Sequence, residues 1–223
     1  RDHRFAPVRG IAKALGILLM IFVPLQLIGI WAQLDLADKA RQLLDDEISR
    51  SEFEEASQLN LGSLTGLVVI PIAVLTMILM FRMAKNLRVL GRTDATWAPG
   101  WAIGGWFCPP CVIYAIPWLM FRELWKGSDP DVAPGDPSWK SRPVPAIVNL
   151  WWVLYGLVPL IGLVTAANVV SNLQSLDAED LAERIDDFLA INVALALVSA
   201  ATAVVYLVMV RQLTDRHVRS TGE

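Results

Sequence analysis

Cys108 and Cys111 stand in the run WFCPPCV, the C-x-x-C spacing of a dithiol. A thiol at a helix start has a lowered pKa, and such a pair can cycle between dithiol and disulfide. A membrane dithiol that hands its electrons on needs a second cysteine pair, and the chain has only two cysteines. No thioredoxin-like βαβ pattern surrounds the motif. Zinc would require two more ligands, and the histidines, His3 and His217, lie near the two ends of the sequence. The pair therefore reads as small packing residues ahead of a redox centre. On this basis Cys108→Ser with Cys111→Ser should leave folding and function intact.

A second group of chemistry-bearing residues flanks that motif. Arg82 and Asn86 are four apart and share a helix face. Arg82, Lys85 and Arg88 suit anionic headgroups, at about 1 kcal/mol each. Asn86 can cap the next segment or hydrogen-bond to another helix. Gly91 can end the helix in a left-handed conformation. Arg122 points to phosphates, and its neighbour Glu123 can reach Arg82 or Arg88. With Trp101 and Trp106, the residues Arg82, Asn86, Arg88, Arg122 and Glu123 form a candidate interaction or headgroup surface, against the plainer role of structural anchoring. No catalytic residue, metal ligand or cofactor is expected.

The elements that must position these residues are membrane helices. Hydrophobic residues make up 55% of the chain, above the soluble norm of about 45–50%. They cluster in runs with almost no charge. Ile11–Trp31 has none after Lys13, and Leu64–Phe81, Ala146–Val170 and Phe188–Val210 have none at all. About 20 such residues cross a hydrocarbon core about 30 Å thick. The expected fold is all-α: a single polytopic bundle over 1–223, with helices near 11–31, 64–83, 146–170 and 188–210 and a fifth segment at 97–125. Ile11–Trp31 exceeds a signal-peptide core and reads as a retained helix. The first residue, Arg1, implies that sequence precedes it.

The fifth segment is rich in proline, glycine and tryptophan. Pro109 and Pro110 lack amide hydrogens. A break there leaves two arms of about 18 Å each, too short to cross singly. The segment is then a re-entrant hairpin, or else one proline-kinked span. Gly104 and Gly105 would sit at a close contact in the hairpin, while Trp139 in the following linker should tolerate alanine.

Charge is unevenly distributed. Positions 32–63 hold eight acidic residues against Lys39, Arg41 and Arg50, and positions 171–187 hold six against Arg184. Both stretches contain amphipathic helical patterns, within 35–58 and 175–189. One apolar face is Leu36, Ala40, Leu43, Leu44 and Ile48; the other is Leu181, Ile185, Phe188 and Leu189, with Asp177 as cap and Leu176 as staple. Their acidic faces read as solvated surface or as a docking surface. Basic residues gather at the start, after the second helix and after the last. With four spans, every basic stretch lies on one side and both acidic stretches on the other. Both ends are then cytoplasmic in a bacterial plasma membrane. The two helix–acidic–helix halves read as a weak internal repeat or as two similar hairpins. No basic patch comes with a nucleic-acid motif.

The order R-x-x-x-N-L-x-x-L-G over Arg82–Gly91, then P-G-W-A-x-G-G-W-F-x-P from Pro99 and P-W-x-M-x-R-E-L-W to Trp125, resembles a family of bacterial multi-pass membrane proteins common in actinobacteria and known as a domain of unknown function. The resemblance implies an all-helical membrane domain and brings no activity or ligand. In that family's usual pattern, the positions of Cys108, Pro110 and Cys111 are ordinary apolar or small residues, so this chain departs there. The function expected is a non-enzymatic scaffold or accessory subunit in the lipid bilayer, with a membrane-protein partner or a second copy. A small-solute transporter or channel is the alternative, and a thiol oxidoreductase using Cys108 and Cys111 comes third.

Overall fold

The computed structural model describes residues 5–57, 62–92, 94–107, 115–156 and 177–223, with the backbone alone for 62–64. Every regular element among them is helical: α1 (Arg9–Leu44), α2 (Arg50–Ser57), α3 (Gly62–Val89), α4 (Trp101–Gly104), α5 (Ala115–Gly127), α6 (Ala146–Gly156) and α7 (Ala178–Thr221), with a 3-10 turn at Pro137–Ser141. Among the described residues, α1, α3 and α7 are long and apolar enough to cross a membrane. The remainder of the expected fourth span, 157–170, lies outside the described residues, as do Cys108, Pro109, Pro110, Cys111 and Leu176.

The spanning helices run further than their apolar cores. The 36 residues of α1 make a rod of about 54 Å, and the 44 of α7 one of about 66 Å. Each continues from the membrane stretch into an acidic amphipathic stretch without a break. The expected segment 35–58 is thus the end of α1, a turn and the short α2; the described part of 175–189 is the beginning of α7. The physical reason is that Trp31–Leu44 and Asp180–Phe188 contain no glycine or proline to stop propagation. The basic tails after 81 and 210 are helical for the same reason.

The ends have local causes. Past Leu44 the chain turns at Asp46, at φ 57°, and the Asp45 amide donates back to Arg41 O. Ser49 and Glu52 then start α2 as a reciprocal cap: the Ser49 amide donates to the Glu52 carboxylate at 2.8 Å, and the Glu52 amide to Ser49 Oγ at 3.3 Å. Asp177 caps α7 by accepting from the Asp180 amide at 2.9 Å. Gly91, at φ 73°, closes α3: its amide donates to Arg88 O and that of Arg92 to Leu87 O.

Packing divides in two. The larger core lies toward the basic ends of the helices, where Leu15, Leu79, Met83, Phe121, Trp151 and Met209 are buried together. A small second core joins the acidic stretches: Ala40, Leu43, Phe53 and Ala182, flanked by Leu36, Ile48, Leu181 and Ile185. Leu44 departs from its expected face and is exposed. Arg41–Asp186 at 2.6 Å and Arg50–Glu179 at 2.7 Å tie α1 and α2 to α7 there. Elsewhere on the spans Ile21, Ile28, Leu67, Ile70 and Leu197 face outward, a surface suited to lipid.

Among the described residues of 97–125 there are two helices, α4 and α5. Glu123 accepts from the Thr96 and Trp97 amides at 2.6 and 3.0 Å. At the other end, a Cβ placed on Gly105 would stand 2.5 Å from Ile116 Cγ2. Eleven residues of straight helix would separate positions 105 and 116 by about 16 Å; instead they touch, so the two arms lie back to back. Gly104 differs from expectation: a Cβ there meets nothing within 4 Å. Trp139 also departs, being 3% exposed in the 3-10 turn that packs on α5. Gly105→Leu should therefore lower stability by about 1–3 kcal/mol, and Trp139→Ala by about 3 kcal/mol, whereas Gly104→Leu should melt like the parent. Thermal unfolding of the three variants in one detergent checks this ranking.

Candidate functional site

Among the described residues, polar groups concentrate in a buried layer at the basic end, where α3, the end of α5 and α7 meet. It begins with Asn86 on α3, 1% exposed. Its Oδ1 accepts from the Ala6 amide at 2.8 Å, which fixes the amide orientation. Nδ2 then donates to Ala6 O at 2.9 Å and faces His217 Nε2 on α7 at 3.0 Å. Because Nδ2 is a donor only, Nε2 must accept. The ring proton is therefore on Nδ1, which donates to Ser128 Oγ at 2.7 Å.

The tautomer decides the chemistry. A serine beside an imidazole nitrogen is the arrangement of an activated nucleophile, but here that nitrogen carries the proton. It cannot take another from Ser128. Both residues are 0% exposed, with no route for a substrate among the described residues. The pair is a structural link between the end of α5 and the end of α7.

Asp129, next in the chain, lies between two guanidiniums. Arg216 Nη2 and Arg142 Nε each stand 2.6 Å from Asp129 Oδ2, the Arg142 contact being charge against charge rather than an aligned hydrogen bond. Arg216 also donates to Trp125 O at 3.2 Å and lies over the Trp125 ring. A cavity of about 360 Å3 opens beside them, lined by Trp125, Asp131, Arg142 and Arg216 among others.

Arg92 completes the layer. Its side chain, 1% exposed, donates to Gly127 O, Ala133 O, Asp136 O and Val132 O at 2.7–3.3 Å. Burial lowers its pKa, opposed by Asp136 and Asp129; an arginine stays charged regardless. Four carbonyls facing one cation hold the loop after α5 onto the end of α3. The Gly135 amide adds a bond to Leu90 O at 3.0 Å. A Cβ on Gly91 would stand 2.8 Å from Gly135 N, so the approach needs glycine.

The candidate residues read from sequence do not converge on one site. Arg82 donates to Pro7 O at 2.8 Å, beside Asn86, and both secure the lead-in to α1. Glu123 holds Thr96 and Trp97 instead of reaching Arg82 or Arg88. Arg122 lies over the Trp118 ring at 4.8 Å. Trp101 is 41% exposed and stands edge-on to Trp97. Trp106, at the far end of its arm, meets Tyr155 edge-on at 5.8 Å. Arg88 is exposed and apart. His217, Ser128, Asp129, Arg142, Arg216 and Arg92 were missed. His217 did carry a signal, since it continues the α7 face of Met209, Val210 and Leu213: a histidine at a core position. Among the described residues no three His, Cys, Asp or Glu side chains gather as for a metal.

His217 lies beyond the apolar stretch of α7, and burial pushes its imidazole down to about 4. Unfolded, it titrates near 6.5. Between these values the unfolded chain binds a proton that the folded chain refuses, so stability is full above about 6.5 and is lost as pH falls toward 4. The loss reaches about 3 kcal/mol. His217→Gln should be less stable at pH 8 but should lose less than the parent between pH 7 and 5, as read by thermal unfolding at a series of pH values.

Comparison with known proteins adds one match. No curated protein and no solved structure matches the chain. A family profile described as "Domain of unknown function (DUF4328)" matches residues 44–215, from the end of α1 to the basic end of α7, including Arg82–Trp125. With about three quarters of its length covered, the chain belongs to the DUF4328 family of domains of unknown function.

Proposed function

We propose that this chain is a non-enzymatic scaffold or accessory subunit of a membrane assembly. It has four spans and a re-entrant Pro/Gly/Trp-rich hairpin, and it sits in a bacterial plasma membrane with both ends cytoplasmic. The observation that carries the reading is the saturation of the buried polar layer. Asn86, Arg92, Ser128 and His217 are each engaged by a neighbour and closed off, and Asp129, at the edge of the cavity, is held between two arginines, so the groups that could do chemistry hold the fold together instead. The back-to-back contacts of α4 and α5 support a hairpin over a kinked span. The charge asymmetry then puts the hairpin, the 126–144 linker and both ends on the positive, cytoplasmic side.

The scaffold surface in this reading is the acidic head of α1, α2 and α7. Asp45, Asp46, Glu47, Glu54 and Glu55 carry charge there beyond the carboxylates used in the ion pairs, which suits a membrane-protein partner with a basic extracytoplasmic face; a second copy would instead meet the outward apolar faces of the spans. The transporter alternative is weaker because the four apolar stretches carry no ionisable group beyond Lys13 and the tyrosines. The thiol alternative rests on residues outside those described. Engineered cysteines in intact cells test the topology. Ser57→Cys should react with an impermeant reagent and Ser138→Cys should be protected; labelling at 138 would replace four spans by five. Purification in mild detergent tests the role, a stoichiometric partner or a dimer being expected and a lone monomer with solute flux in liposomes counting against it.

A further inference from the structure

A cleft of about 370 Å3 lies between α1, α3, α6 and α7, with Trp106 at one side. That is within the ~300–1,000 Å3 of ligand pockets. Its walls are apolar, from Leu19 and Phe22 on α1 to Val69 and Ile72 on α3 and Trp151 on α6. On α3 it runs from Thr65 to Thr76, about 16 Å of helix, so it is elongated along the bundle.

The two ends of the cleft differ. Toward the basic face, Thr76 Oγ1 and Tyr206 Oη satisfy each other at 2.7 Å. Toward the acidic head the cleft is lined by Gln26 and Thr65, with Ser199 between the two ends. None of these three has a hydrogen-bond partner among the described residues. An amide or hydroxyl without a partner at membrane depth is costly, because lipid tails offer none. Among the described lining residues no Asp, Glu, Lys, Arg or His is present, so nothing compensates a charged head group.

We propose that this cleft binds a single-chain amphiphile with a neutral hydroxyl or carbonyl head. The chain lies along Phe22, Val69 and Ile72, and the head exchanges hydrogen bonds with the Gln26 amide. Thr65 and Ser199 offer further hydroxyls along the chain's path. The site stands whether or not a partner subunit is found.

The test uses the full chain in phosphatidylcholine nanodiscs and follows its unfolding temperature against three probes of equal chain length: 1-tetradecanol, tetradecane and myristate. Tetradecanol should raise the unfolding temperature saturably, at a concentration at least tenfold below that needed for the other two. Gln26→Leu should melt no lower than the parent without ligand and should lose the preference for tetradecanol over tetradecane. Ala73→Phe, which fills the cleft, should abolish all responses; if it fails to fold, the Gln26→Leu comparison decides. Three probes acting alike on the parent, no response to any, or a preference retained in Gln26→Leu would overturn the proposal.

Discussion

The amide of Asn86 joins three stretches of chain that are far apart in sequence: the lead-in to α1 at Ala6, the end of α3, and the end of α7 at His217. One planar group makes three bonds, and its acceptor side leaves no freedom for its donor side. That fixes the imidazole tautomer, which in turn fixes the bond to Ser128 and so the place of the loop after α5. Buried polar groups of this kind rigidify only when every member is satisfied. Removing the amide would leave His217 Nε2 without a partner in a site closed to water, which costs more than the bond itself contributes.

The same demand shapes the two-armed segment. Pro24 and Pro71 lie inside unbroken helices, so proline alone does not break a helix at membrane depth. Two provisions hold α4 and α5 together. Glu123 gives two carboxylate oxygens to the Thr96 and Trp97 amides, and Gly105 lets the first arm close on Ile116 without a side chain between them. The aromatic residues then fill the outer faces: Trp118 stacks on Trp152 and donates to Asn149 Oδ1 at 3.0 Å. Trp118 thus spends its ring face and its N–H on a neighbouring helix.

What was legible in the sequence follows from periodicity and local chemistry. The long apolar stretches, the left-handed end at Gly91, the cap at Asp177 and the amphipathic faces meeting at Ala40, Leu43 and Leu181 are decided within a few residues. The polar layer was not legible, because each member resembles a surface residue. Arg92 follows a helix-ending glycine in a basic tail, and nothing local says that four carbonyls will surround it. Ser128 and Asp129 sit in a Ser-Asp-Pro run that reads as a turn. Trp139 lies among prolines and charges yet is buried, since its partners come from the α5 region. These positions are set by tertiary contacts between segments about 10 to more than 100 residues apart, which one-dimensional patterns do not carry.

The two ends of the rods are held by forces of different strength. At the acidic head, the ion pairs Arg41–Asp186 and Arg50–Glu179 have side chains 37–68% exposed, where such pairs contribute about 0–1 kcal/mol each. The apolar contribution there comes from Phe53 with three smaller buried residues, Ala40, Leu43 and Ala182. At the basic end, Asp129 is 4% exposed between Arg142 and Arg216, whose side chains are 37% and 20% exposed, and a buried carboxylate that loses its cations costs more than a surface pair contributes. Local opening follows the weaker set of contacts. Because α1 and α7 run unbroken between the two ends, separation at the head can spread along their shared seam only until it meets the layer around Asn86 and His217. The basic layer therefore sets the register of the helices, and the head adopts the spacing it is given.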